Sequence, residues 1–161
     1  MGYTHYWNFK NNVAPKDIEG GAEKFKRAAE IIKDCLAEVR KQGVKIASGD
    51  GEGEPIINAK EIYFNGKGEE SYETFYISLN GKDSFNFCKT ARMPYDILVC
   101  LSLLAFKEVF GEDFEYRSDG ITKEAYENRA SNEYWKKIGF EPEGPEKEWQ
   151  AAYDLWEKIT K

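Results

Sequence analysis

Between Pro94 and Gly111 lies Ile97 to Phe110, a segment apolar on nearly every side that stops short of the roughly 18 residues a membrane span needs. A helix without a polar face has to be central, so the rest of the chain must supply half-polar elements that wrap it. Pro94 suits a first helical turn, Asp96 complements the dipole there, and Gly111 gives the stop. A length of 161 residues suits one domain that buries roughly two thirds of its unfolded surface. The expectation is a single domain over 1–161.

The wrapping elements can be read from periodicity. Tyr3-Thr4-His5-Tyr6-Trp7-Asn8-Phe9 favours a strand, and a period of two puts Tyr3, His5, Trp7 and Phe9 on one face. Pro15 suits a helix start, and Phe25, Ala28, Ala29, Ile32, Cys35, Leu36 and Val39 make one apolar stripe ending at Gly43. Val44 to Ala47, Glu61 to Phe64 and Tyr72 to Leu79 read as strands. Asn80-Gly81 signals a hairpin whose return strand carries Phe85 and Phe87, which makes the middle of the chain an antiparallel meander. Phe114 to Arg117 forms another strand before the Asp119-Gly120 turn. Thr122 caps a helix toward Gly139, and Pro145 starts a last one with Trp149, Ala152, Tyr153, Trp156 and Ile159 on its apolar side. The expected fold is α+β, a mostly antiparallel sheet with about four helices.

Charge and cysteine content narrow the function. A net charge of −6 and pI near 5.0 argue against a nucleic-acid polymer as partner, since phosphate-backbone binding needs a continuous basic face. Cys35, Cys88 and Cys100 are too few and scattered for a disulfide framework, and no Cys-x-x-Cys spacing suggests zinc. Without an apolar span or signal-type start, a cytoplasmic protein with no membrane partner is expected. A lone histidine, His5, excludes paired-histidine chemistry and histidine-rich metal sites. No resident metal or cofactor and no catalytic residue are expected, and a homo-oligomer is left open.

The sharpest cluster runs from Phe85 to Asp96, joining a strand to the start of the apolar helix. Free amides at a helix start, with Lys89, Thr90 and Arg92, suit a phosphate, while Tyr95 offers a stacking ring. Against this stands an ordinary strand-to-helix turn with outward charges. The loop Ser48 to Pro55 resembles a phosphate cradle only superficially, because Asp50, Glu52 and Glu54 would repel phosphate; Asp50 could instead accept from ribose hydroxyls, or the loop could hold a divalent cation through oxygen ligands though it fits no calcium-loop spacing, and against both stands a solvated turn. His5 could pair with Glu73 or be satisfied structurally, and Cys88 could be activated beside Lys89 or be an inert buried thiol.

The opening Met1-Gly2-Tyr3-Thr4-His5-Tyr6-Trp7, the Gly49-Asp50-Gly51 turn, Tyr72-Glu73-Thr74-Phe75, Phe87-Cys88-Lys89-Thr90-Ala91-Arg92-Met93-Pro94-Tyr95-Asp96 and Ser118-Asp119-Gly120 resemble a family of small phage and prophage proteins. The matches cover 1–120, and 121–161 reads as a variable helical part. By analogy of type, such proteins look like sponges that sequester nucleotide signals of bacterial immunity, such as cyclic ADP-ribose derivatives in anti-Thoeris defence; the setting is then the host cytoplasm. The implied partner is a small anionic nucleotide-like ligand, bound without turnover. Lys89, Thr90 and Arg92 would take phosphates, Trp7 or Tyr95 would stack on a base, and Asp50, Asp96 or Asp119 would hold ribose hydroxyls, with His5, Glu73 and Phe75 completing the site. The alternatives are a small hydrolase of such a signal, using Asp50, Glu73, Asp96 or Asp119 around a metal, and an interaction protein inhibiting a host enzyme.

Overall fold

The structure, a computed structural model, describes residues 3–81, 86–120, 122–124 and 145–161. Its centre is the apolar helix, α2 (Asp96–Phe110), in which every residue from Leu98 to Leu103 is buried. No helix among the described residues is long and apolar enough to cross a membrane.

Against α2 lie α1 (Gly21–Lys41) and α3 (Lys147–Thr160), each presenting one apolar stripe. α1 buries Phe25, Ala28, Ala29, Ile32, Cys35 and Val39, the spacing its sequence implied. It starts later than Pro15 suggests, because Pro15–Asp17 closes a separate 3-10 turn and Gly20 turns left-handed (φ 68°) before Gly21. α3 buries Trp149, Ala152 and Leu155, and Tyr153, Trp156 and Ile159 pack at its flank.

The fold is α+β with two antiparallel sheets. β1 (Thr4–Phe9) is the middle strand of the first, between β6 (Asn86–Lys89) and β7 (Phe114–Ser118). Its alternation is as expected, with His5, Trp7 and Phe9 buried and Thr4, Tyr6 and Asn8 on the other face. In the second sheet β4 (Glu61–Gly66) pairs with β2 (Ile46–Ala47), β3 (Ile56–Ile57) and β5 (Phe75–Ser78). Trp7 joins the sheets by packing on Phe75 at 4.8 Å between ring centroids, and Phe75 in turn packs on Phe64 at 5.1 Å.

The expected meander holds through β2, β4 and β5 and fails only at its return strand. Asn80-Gly81 does make a turn, with the Gly81 N–H donating to the Ser78 carbonyl at 3.1 Å, but β6 then pairs with β1 in the other sheet. Turn chemistry fixes a local reversal; which edge the returning strand joins depends on where its apolar residues find cover. Phe85 and most of the helix expected from Thr122 toward Gly139 lie outside the described residues.

Candidate functional site

β1 and the first turn of α2 meet at a sealed polar cluster. The inward face of β1 brings His5 beside Asp96, and Asp96 stands four residues before Cys100, so both helical side chains share one face. His5 Nε2 lies 2.6 Å from Asp96 Oδ1, the Thr90 hydroxyl donates to the same oxygen at 2.5 Å, and the Cys100 thiol donates to Oδ2 at 3.5 Å. All four residues are buried. A polar side chain at this depth has to be satisfied by partners, and three groups converge on Asp96 here. Rings close the cluster, Tyr3 meeting His5 edge-on at 5.1 Å and Trp149 at 5.5 Å. His5 Nδ1 is buried without a hydrogen-bond partner among the described residues.

This geometry corrects the anion site expected at the helix entrance. Thr90 and Asp96 are spent on each other and on His5, inside the protein. His5 pairs with Asp96, not Glu73, whose Oε1 accepts the Lys89 N–H at 2.7 Å. Tyr95 offers no stacking face, being fully buried with its hydroxyl donating to the Glu73 carbonyl at 2.6 Å; Trp7 and Phe75 are core rings as well. Arg92 turns the other way, 4.0 Å above the Tyr3 ring and 2.6 Å from Glu148 on α3. Lys89 sits over Tyr72 at 5.8 Å.

The remaining expected residues are turn formers. Asp50 accepts the Glu52 N–H at 3.1 Å, and Asp119 accepts the Thr4 N–H at 3.0 Å, which ties the end of β7 to the start of β1. Both are exposed and belong to separate turns. Cys88 is no activated thiol, because burial pushes its pKa well up and its Sγ donates to the Glu73 carbonyl.

A hollow of ligand size lies elsewhere. Where β1 and β7 meet the C-terminal part of α2, a cavity of about 570 Å³ is lined among the described residues by Tyr6, Trp7, Asn8, Lys107, Glu115, Tyr116, Arg117 and Glu124. Pairing of β1 with β7 sets Tyr6 opposite Arg117 and Asn8 opposite Glu115. The Arg117 guanidinium lies 5.3 Å from the centre of the Tyr6 ring, and Lys107 Nζ donates to the Phe114 carbonyl at 3.0 Å. Two cations, aromatic rings and two carboxylates thus border one space. Of the expected site residues only Trp7 reaches it. Alternation already placed Tyr6 and Asn8 on the outer face of β1, but their partners are about a hundred positions away and nothing local announces that pairing.

No protein-family model, curated protein or solved structure matches this chain.

Proposed function

We propose that the protein binds a small anionic, nucleotide-like molecule without turnover, in the cavity beside Tyr6 and Arg117. The observation that carries this reading is a hollow of about 570 Å³ bordered by Arg117, Lys107 and the Tyr6 and Tyr116 rings, within the roughly 300–1,000 Å³ usual for ligand pockets. Arg117 and Lys107 supply local positive charge to a chain that is acidic as a whole, and a pocket's own groups govern its selectivity. The Tyr6–Arg117 pair gives a flat, partly cationic surface for a base, while Asn8, Glu115 and Glu124 offer acceptors to ribose hydroxyls. Binding is favoured over hydrolysis because the lone imidazole, the usual proton shuttle near neutral pH, is sealed against Asp96. The resemblance to phage and prophage proteins supplies the setting, sequestration of a nucleotide signal of host immunity.

Thermal shift with ADP-ribose derivatives and cyclic dinucleotides tests it. A ligand present at 100 times its Kd stabilises the fold by about 2.7 kcal/mol. That gain disappears in Arg117→Ala and weakens in Tyr6→Ala, and chromatography recovers the ligand intact. No shift with any compound at millimolar concentration, or a shift indifferent to Arg117→Ala, rejects the proposal. Recovery of cleaved ligand transfers the case to the hydrolase.

A further inference from the structure

We propose that His5, Asp96 and Cys100 bind a borderline-soft divalent ion of the zinc type, clasped between β1 and the first turns of α2. The three residues offer one nitrogen, one oxygen and one sulfur donor within 4.8 Å of one another. A tetrahedral zinc ion with bonds of roughly 2.0–2.3 Å holds its ligand atoms about 3.3–3.6 Å apart. Cys100 Sγ lies 3.5 Å from Asp96 Oδ2 and 3.8 Å from His5 Nε2, so two of the three edges stand near that spacing already. The third edge, His5 Nε2 to Asp96 Oδ1, is a hydrogen bond of 2.6 Å that the ion has to open, while the Thr90 hydroxyl keeps orienting the carboxylate, as outer hydrogen bonds do around metal ligands.

A second observation is the unspent polarity around this triad. His5 Nδ1 is wholly buried and has no hydrogen-bond partner among the described residues, so the polarity of the ring is not fully spent on Asp96. Loading balances simply. The imidazole proton moves from Nε2 to Nδ1, Nε2 turns its lone pair to the ion, and the Cys100 thiol proton leaves to solvent as the thiolate binds. Nothing is oxidised or reduced. With three protein donors, the fourth position falls to a water molecule. No local motif announces the site, because the donors come from positions 5, 96 and 100, and only the Asp96–Cys100 pair has a helical spacing.

The site is sealed, so the test refolds the untagged full chain from denaturant with zinc or cobalt, then dialyses away free ion. We expect close to one equivalent of zinc by elemental analysis and, with cobalt, a thiolate-to-metal charge-transfer band in the near ultraviolet. The band is lost in Cys100→Ala and kept in Cys35→Ala, and a chelator during refolding lowers the Tm of the unsubstituted chain. Folded protein with only trace metal and no cobalt band overturns the proposal and leaves a network of protons alone. A band that persists in Cys100→Ala overturns it equally. If Cys100→Ala does not fold, the unsubstituted chain's cobalt spectrum decides by the presence or absence of the band. A ligand in the Arg117 cavity has no part in these readouts.

Discussion

Asp96 is the residue on which most of the buried polarity depends. It accepts from His5, Thr90 and Cys100 at once, with almost no solvent to replace any of them. Asp96→Ala therefore removes one group and strands three, and the destabilisation expected in guanidinium unfolding is about 3–5 kcal/mol. Asp96→Asn, which keeps the shape and one acceptor oxygen, costs less; equal losses would show that shape rather than bonding matters here. Gly120 tests close approach at the same end of β1. A methyl group added there would stand 2.1 Å from Tyr3 Oη, and the Tyr3 ring cannot swing aside beneath Arg92 and beside His5. Gly120→Ala should cost about 1–3 kcal/mol by urea titration. At Gly43 an added methyl meets nothing within 4 Å, so Gly43→Ala carries only the strain of its positive φ, about 1–2 kcal/mol.

Among the elements, α3 is held by an aromatic latch. Trp149 donates to Ser118 Oγ at 3.0 Å, stacks on Tyr116 at 5.6 Å and closes over His5, while Arg92 reaches Glu148 beside it. Trp149→Ala should release the helix at a cost of about 3–5 kcal/mol, read by circular dichroism and limited proteolysis. Arg92→Ala, which loses a half-exposed ion pair, should cost no more than about 1 kcal/mol. It should also leave the proposed ligand binding intact, in contrast to Arg117→Ala. That contrast follows what the sequence could and could not disclose. The stripes of α1 and α3, the all-round apolarity of α2 and the alternation of β1 were legible because each is written in neighbouring residues. The pairing of β6 with β1 and the leaning of Arg92 toward α3 were not, since each depends on a partner distant in sequence, and the two-residue β3 is too short to show a period. Lys89, Thr90 and Arg92 look like one cationic patch when read in a row, yet the positive φ values of Ala91 and Arg92 turn the chain so sharply that their side chains find separate neighbours.

For the molecule as a whole, the buried acids that stay neutral predict a fold sensitive to alkali. Burial pushes the Cys35 thiol from its ordinary 9.0 up to about 12, and it raises Cys88, Cys100, Tyr3, Tyr95 and Tyr116 as well. A folded-state value raised above the unfolded one leaves stability untouched below the unfolded value, where both states hold the proton. As pH rises beyond it, the unfolded chain gains by ionising and the folded chain cannot follow. For Cys35 the loss runs from pH 9.0 toward about 12 and amounts to on the order of 4 kcal/mol. The expected result is a Tm that falls steeply once pH passes the ordinary thiol value, with tyrosinate absorption appearing together with unfolding rather than before it. Cys35→Ala should flatten the first part of that fall, although it lowers the Tm at neutral pH by opening a small cavity. Tyrosinate titrating ahead of the loss of structure would mean that the rings are open to solvent, against the packing of β1, α2 and α3 around them. Zinc bound at Cys100 adds a further contrast, because a thiolate already ionised in the folded state no longer contributes to the alkaline loss. The loaded protein should therefore keep its Tm to higher pH than protein refolded with chelator.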